Sequence, residues 1–575
     1  MIRRIIQRRS IPAQDDLPGD LHPLLRRIYA GRNVTSGREL DYSLDNLHPY
    51  QTLTGVERAA QLLAEALESG KRLMIVADYD ADGATACALG LRALRAMGAG
   101  VDYLVPDRFK HGYGLTPEIV ELALPYKPDL LMTVDNGISS IDGVREARAK
   151  DIEVIITDHH LPGPVLPAAN AIVNPNLEGD AFPSKCLAGV GVMFYVLAAL
   201  RALLRSMDWF QRRAIAEPNL AGLLDLVALG TVADMVPMDF NNRVLVAQGL
   251  QRIRAGRCGA GVSALLKVAN RSQRAATATD LAFFAGPRLN AAGRLTDMRL
   301  GIECLTTDDP GAAADMAAEL DSLNRERRQI QAEMQHQALA DLPSLGELAG
   351  ADSPRSVCIY NEAWHSGIVG VLASQIKERV QCPVIAFARE SDGMLKGSGR
   401  SIDGVHMRDV LANIANRHPE LIRRFGGHAM AAGLSLEEGR FAEFTRLFEE
   451  EVARVLPAAG RASILLSDGA LGEGDFTIEI AELLKRSGPW GQAFPEPIFD
   501  GEFDLLGCRT VADRHLKFTL AIPARPTPID AIAFNRADSL DAPDGGRVHV
   551  AYRIDLNEYR GRRSVQLIVE ELAPL

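Results

Sequence analysis

Residues 76–85 read VADYDADGAT, and three aspartates, Asp78, Asp80 and Asp82, crowd together directly after an apolar run. The preceding LMIVA (73–77) is short, apolar and β-leaning, whereas Gly83 opens an alanine-rich segment that reads as helix through Met97. The aspartates therefore sit where a strand becomes a helix. In an open parallel sheet that place lies in the crevice outside the strand ends, where ligands bind. Spacing of two would also project all three to one side of an extended segment. Carboxylates held that close repel, and a helix N-terminus, a basic side chain or a divalent cation must offset the repulsion. A solvated acidic turn capping the next helix has the same local pattern.

Working outward, short apolar strands alternate with helical stretches: LMIVA, VDYLVP (101–106), DLLMTVD (129–135), EVIITD (153–158) and NAIVNP (170–175). This alternation predicts a parallel α/β sheet. DLLMTVDNG places Asp135 at one strand end, EVIITDHH places Asp158, His159 and His160 at the next, and LGTVADMVPM supplies Asp234 after an apolar helix. If the strands are neighbours, Asp80, Asp82, Asp135 and His159 converge on one crevice by topology. Singly, Asp135 before Asn-Gly also reads as a turn residue, and the adjacent histidines as a satisfied loop pair. Jointly, carboxylates with imidazole and no thiolate suit Mn²⁺ or Mg²⁺ better than structural zinc. Four aspartates can hold two ions with Asp135 bridging, and paired ions activate water and clamp both oxygens in phosphoryl transfer. Phosphodiester hydrolysis is the leading expectation. His160 is expected beside the ligands, as a proton or phosphate partner.

Composition bounds this reading. The 575 residues are 47% hydrophobic and 24% charged, ordinary for a globular protein. That length predicts about three or four domains. Seven cysteines are scattered without a CxxC pair, so neither a zinc knuckle nor a disulfide framework is indicated and reduced thiols in a cytoplasm fit best. MIRRIIQRRSIPAQDD (1–16) is basic but lacks the apolar core of a signal peptide, and no uninterrupted apolar run of membrane-spanning length follows, so no membrane partner is expected. A net charge of −11 argues against a uniformly basic coat and leaves room for a local basic groove. Residues 1–45 carry no motif.

Beyond the first α/β unit, a helical region runs from Cys186 to about Leu305, and residues 310–342 read as one long, polar connecting helix. GELAGADSPRS (346–356) has the composition of a linker. A second α/β unit follows, with SVCIYNEAW, PVIAFARE and LKGSGRSI as strands and GIVGVLASQIKERV and VHMRDVLANIANRH as helices. After Pro457 the texture changes to strands and turns, FDGEFDLLGC, HLKFTLAIP, IDAIAFN, RVHVAYRIDL and SVQLIVEEL, which predict a small barrel of OB type. GSGRS offers amides unhindered by side chains beside Ser398, Arg400 and Ser401, the composition of a phosphate nest or of a glycine-rich turn. GPRLNAAGR carries Arg288, Asn290 and Arg294; a continuous helix would turn its arginines about 120° apart, and a salt bridge would explain either. His428 follows two glycines in GGHAMAAG, where a strand contact and a buried structural histidine are both open. The barrel interleaves Lys517, Phe518, Tyr552, Tyr559, Arg560, Arg562 and Arg563, as single-strand binders do and as the alternation of any barrel also does.

DYDADG, TVDNG, TDHH and VADMVP, in that order, resemble the DHH phosphoesterase superfamily, named for the triplet Asp158-His159-His160. GPRLNAAGR (286–294), WHSGIVG (364–370), GSGRS (397–401) and FGGHAMAAGL (425–434) are similar to further motifs of its RecJ branch, bacterial exonucleases specific for single-stranded DNA. The resemblance runs from about residue 45 to the C-terminus. It implies an N-terminal segment (1–45), a parallel-sheet DHH catalytic domain (46–308), a connecting helix (309–345), an α/β DHHA1 domain (346–457) and an all-β OB-fold (458–575) around a central channel. It implies degradation of single-stranded DNA from the 5′ end with Mn²⁺ or Mg²⁺, in repair and recombination. Metal ligation then falls on Asp80, Asp82, Asp135, His159 and Asp234, with Asp78, Asp158 and His160 assisting. The 5′-phosphate pocket falls on Ser398, Arg400 and Ser401 with Arg108 facing them, and strand contacts fall on Arg288, Asn290, Arg294 and His428. Single-strand-binding protein and a RecQ-type helicase are the partners it implies, and a monomer is expected. A phosphodiesterase for short oligoribonucleotides or cyclic dinucleotides would share the metal site without needing the barrel. A non-catalytic replication scaffold of the same fold would have lost ligands, whereas every ligand position is filled here.

Overall fold

Five parallel strands build the sheet that carries the acidic motifs: β1 (Leu73–Ala77), β2 (Val101–Leu104), β3 (Leu130–Val134), β4 (Glu153–Thr157) and β5 (Ala171–Val173). Their spatial order is β2-β1-β3-β4-β5. β1 and β3 are buried at every position, as strands covered on both faces must be, which is why they read as unbroken apolar runs. One face packs an apolar layer that includes Met74, Val76, Ile119, Leu131 and Val144. The other carries the helices α1 (Ala81–Ala96) and α2 (Gly189–Ser206). The strand order reverses between β1 and β3, so the crevice beyond their C-terminal ends is the topological switch point.

The computed structural model describes residues 4–12, 16–107, 111, 113–341, 354–390, 393–456, 464–523, 525–537, 540, 545–559 and 561–575. The chain packs as two units. The first comprises Pro12–Arg325 and Leu484–Glu496, and contains the parallel sheet, α3 (Leu224–Ala233) and α4 (Gly286–Leu295). α2 is the one helix among the described residues long and apolar enough to span a bilayer, yet 67% of it is buried between its neighbours, as in a core helix. Tyr29, on the helix Pro23–Ala30, stacks on Trp490 and Phe494, which fastens the segment 484–496 to this unit.

The expected connecting helix is continuous, α5 (Pro310–Asp341). The linker expected at 346–356 falls largely in residues 342–353, outside the described residues. The second unit holds a mixed sheet of β6 (Val357–Tyr360), β7 (Val384–Arg389), β8 (Met394–Arg400), β9 (Arg424–Gly427) and β10 (Ala431–Glu437). Its order is β9-β10-β8-β7-β6, with α6 (Val369–Val380) lying against β7 and β8. The expected barrel closes in the order β11-β12-β13-β15-β14, from β11 (Phe499–Val511), β12 (His515–Ile522), β13 (Arg525–Ala533), β14 (Gly546–Tyr559) and β15 (Arg562–Pro574). Residues 5–8 of the motif-free N-terminus form a parallel strand on Ile464–Ser467 in this unit.

Candidate active site

The acidic motif is built by the turn from β1 into α1. Asp80 is the N-cap of α1, its Oδ1 accepting the amides of Asp82 and Gly83 at 3.0 Å each. Asp82 lies inside the helix, and its carboxylate accepts the amides of Gly189 at 2.6 Å and Val190 at 2.9 Å, the first two residues of α2. A helix N-terminus thus holds this buried carboxylate in place. The three aspartates do not project to one side as an extended segment would, because the strand ends at Ala77. Instead Asp78 and Asp80 gather with Asp135, while Asp82 gathers with His159 and Asp234.

Asp135 follows β3 with a φ of +62°, the left-handed region that a short polar side chain tolerates. Its Oδ1 lies 3.1 Å from His159 Nε2, and both atoms are buried without a hydrogen bond. His159 Nε2 is also 3.6 Å from Asp234 Oδ2 and 4.0 Å from Asp82 Oδ2. Burial, together with the neighbouring carboxylates, pushes the Asp82 and Asp135 carboxyls well above their usual range, and burial lowers His159, which leaves its imidazole neutral. Two unsatisfied buried polar atoms, set among four further carboxylates and no thiolate, fit hard divalent cations.

Asp158 has a different task. One carboxylate oxygen accepts the amides of His159 and His160 and faces His160 Nδ1 at 2.7 Å; the other accepts the Ile138 amide at 2.9 Å. Burial opposes its charge, yet the bond to His160 and the nearby imidazoles hold its carboxyl at about 2. The same bond outweighs burial at His160 and raises it to about 9, so His160 is charged beside the crevice. Several residues of this site went unread in the sequence. The Tyr113 hydroxyl donates to Asp135 O at 3.2 Å and lies 3.3 Å from His160 Nδ1. Asn174 and Asn176 donate to the carbonyls of His160 and His159, and Asn136 ties the ends of β1 and β3 together. The one available signal was Asn-Pro-Asn directly after a strand. Gly189 permits close packing: a Cβ there would stand 2.5 Å from Asp135 Cβ.

GSGRS is neither nest nor turn. It ends β8, whose two edges pair with β7 and β10, so its amides serve the sheet. Its first glycine makes room for the core, since a Cβ on Gly397 would come within 2.5 Å of the Phe387 ring. Ser398 and Arg400 share the opposite face, where Arg400 Nη1 donates to Ser398 Oγ at 3.1 Å. The first turn of α6 is seated on them: a Cβ on Gly370 would fall 2.8 Å from Ser398 Oγ and 2.9 Å from Arg400 Nη2. A hydroxyl, a guanidinium and a helix N-terminus so assembled suit a phosphate. Ser401 is turned away from them, buried and donating to Val405 O at 2.6 Å. Arg108 lies outside the described residues.

GPRLNAAGR forms one continuous helix, α4, so its arginines diverge. Arg288 is buried and paired with Asp321 of α5 at 2.7 Å, and it donates to Phe284 O. Its expected strand contact gives way to this internal bridge. Asn290 accepts the Ala81 amide at 2.9 Å and so positions the acidic turn rather than a strand. Arg294 is half-buried, and half-buried His428 donates its amide to Ala431 O. In the barrel, Phe518 and Tyr552 are core residues, Lys517 pairs with Asp530 and Arg563 with Glu482. Arg560 and the side chain of Tyr559 lie outside the described residues.

Strand-end carboxylates and one imidazole at a switch point define a metal-dependent phosphoesterase centre of the DHH class, and the family models agree. Residues 72–231 match the N-terminal domain of the DHH family, 355–454 the DHHA1 domain and 467–571 the RecJ OB domain. The chain is 52% identical over 573 residues, covering 99% of each chain, to the single-stranded-DNA-specific exonuclease RecJ of Escherichia coli (strain K12). The crystal structure of RecJ from Thermus thermophilus in complex with Mn²⁺ superposes with a TM-score of 0.80 at 30% identity, covering 100% of this chain and 80% of that one. The Mg²⁺ complex of RecJ from the same organism gives 0.75 at 28% identity, with 100% and 79% covered. The chain belongs to the RecJ family of single-stranded-DNA-specific exonucleases.

Proposed function

We propose that this chain degrades single-stranded DNA from its 5′ end by hydrolysing phosphodiester bonds at a pair of Mn²⁺ or Mg²⁺ ions, in DNA repair and recombination. The observation that carries the reading is the buried, unsatisfied pair Asp135 Oδ1 and His159 Nε2, at the point where two carboxylate groups meet. Asp80, Asp82, Asp135, His159 and Asp234 hold the ions, with Asp78 beside them. Bound there, two divalent ions supply an activated water and stabilise the oxygen that leaves. Asp158 keeps His160 charged and aimed, and His160 donates to a phosphate oxygen of the scissile group. Ser398, Arg400 and the first turn of α6 hold the terminal 5′ phosphate. Arg294 and His428 contact the strand.

Functionally the chain divides into 1–45, 46–308, 309–345, 346–457 and 458–575, a division supported by family-model matches that each fall inside one segment, at 72–231, 355–454 and 467–571. All seven cysteines are free thiols, which fits a reducing cytoplasm. Single-strand-binding protein and a RecQ-type helicase are the partners, supplying protected and unwound strands to a monomeric enzyme. Digestion of 5′- and 3′-labelled single strands, with and without Mn²⁺, tests the reading. Release of the 5′ label first, only with metal, is expected; release of the 3′ label first, or metal-independent cleavage, would refute it.

A further inference from the structure

Two loops deliver the carboxylates that gather with His159. Residues 184–188 lead into α2, whose first two amides fix Asp82. Residues 234–239 follow α3 and begin with Asp234. Across His159 Nε2 the two aspartates stand at 4.0 Å and 3.6 Å, so the spacing of the loops sets the spacing of the carboxylates. The second loop needs holding. Met235, at φ +59°, is left-handed without glycine's freedom, a conformation kept only where the surroundings impose it.

One side chain ties the loops together. Asn242, in the first turn of the helix Phe240–Arg254, is fully buried, and its Nδ2 donates to Cys186 O at 2.6 Å and to Pro237 O at 2.9 Å. Two carbonyls facing one amide fix its orientation, because only the NH₂ end can serve both. The other end goes unserved: Asn242 Oδ1 is buried without a hydrogen bond. A parallel bond runs beside this grip, since Ser184 Oγ donates to Asp239 Oδ2 at 2.5 Å while Asp239 Oδ1 accepts the Asn242 amide at 2.9 Å. Cys186 precedes Gly189 by three residues, and Pro237 follows Asp234 by three. The first loop also reaches the histidines. Lys185 Nζ donates to Pro175 O at 2.8 Å, between the asparagines that hold the His159 and His160 carbonyls.

We infer that Asn242 is a positioning residue for metal binding, which fixes the separation of the Asp82 and Asp234 carboxylates by clamping the loops that deliver them. It touches no ligand itself and acts through Cys186 O and Pro237 O. The inference rests on the reading of Asp82 and Asp234 as ligands.

The test is calorimetric titration of Mn²⁺ into metal-free, full-length protein without DNA, beside thermal melts of the same samples. Asn241 supplies the control. It is equally buried on the same helical turn, but it accepts the His48 amide at 3.1 Å and the Tyr195 hydroxyl at 2.8 Å, and it bonds to neither loop among the described residues. Asn242→Ala should weaken one of two Mn²⁺ binding events by about 10–100-fold. Asn241→Ala should lower the melting temperature and leave Mn²⁺ binding as it is. Ser184→Ala, a milder change that removes only the parallel bond, should weaken the same event by a smaller factor, and it reads that event where Asn242→Ala does not fold. Excess Mn²⁺ should restore hydrolysis by Asn242→Ala, since every ligand is still present. Wild-type Mn²⁺ affinity in both Asn242→Ala and Ser184→Ala, or an equal loss in Asn241→Ala, would overturn the inference alone. Asp234→Asn binding both ions as the wild type does would refute the ligand reading beneath it.

Discussion

His159 Nε2 and Asp135 Oδ1 face each other at 3.1 Å across the switch point of the parallel sheet, both buried and neither hydrogen-bonded. Burying such atoms without partners costs roughly 1–3 kcal/mol each, a penalty that a shared cation removes. Asn tolerates the positive φ of residue 135, so Asp135→Asn should fold normally. It should lower metal-dependent hydrolysis by more than about 100-fold, beyond the 10–100-fold typical of residues that only support ligands. Steady-state rates with Mn²⁺ measure this; a near-wild-type rate would remove Asp135 from the centre.

Gly189 bears no ligand, yet a Cβ there would stand 2.7 Å from Asp135 Oδ1. Gly189→Ala should weaken Mn²⁺ binding by about 10–100-fold with the helical content unchanged. Calorimetric titration with Mn²⁺ beside circular dichroism measures both, and wild-type affinity would show that Asp135 can move aside.

Arg400→Ala should erase the preference for phosphorylated over unphosphorylated 5′ ends, and Gly370→Ala should blunt it, because its methyl would press on Ser398 and Arg400. Ser401→Ala should leave the preference intact, since that hydroxyl serves Val405 O. Competition between the two kinds of end reads all three; a preference that survives Arg400→Ala would place the phosphate elsewhere.

Arg288→Ala should act on stability rather than on DNA affinity. It leaves Asp321 without its buried partner, a loss of about 3 kcal/mol by the usual measure of broken buried pairs. Thermal melts should fall for Arg288→Ala and Asp321→Asn alike, with no change in the salt dependence of strand binding. A reduced salt slope with an unchanged melt would return Arg288 to the DNA interface.

The N-terminal strand carries a pH dependence. The Asp500 carboxyl opposes burial through its bonds to Arg8 at 2.9 Å, Ser467 and His549 at 3.1 Å, which hold it at about 2. A carboxyl lowered on folding stabilises at pH values above its ordinary range, and that contribution is lost as pH falls toward 2. The melting temperature of Asp500→Asn should therefore lie below that of the wild type at neutral pH, and the gap should close between about pH 4 and pH 2. A gap that stays constant with pH would contradict this assignment.

Much of this was legible in the residues, and the failures share a cause. β1 and β3 read as strands because burial on both faces leaves an unbroken apolar run, and the acidic turn declared itself by repulsion alone. Long-range pairing has no such local sign. GSGRS looks like a loop because its glycines answer to distant core residues, Gly397 to Phe387 and Gly399 to Met407, and Arg288 looks like a phosphate contact because Asp321 is far away in the chain. The motif-free N-terminus is likewise a strand only through Ile464–Ser467. Residues that shape the site without titrating, Gly189, Asn174 and Asn176, are silent until the packing is seen.

The central claim is a pair of cations held by Asp80, Asp82, Asp135, His159 and Asp234. Anomalous diffraction at the manganese edge from Mn²⁺-soaked crystals tests it most directly. Two peaks about 3.5–4 Å apart, with Asp135 between them, are expected. A map without peaks in that crevice, or with peaks held by other residues, would contradict it.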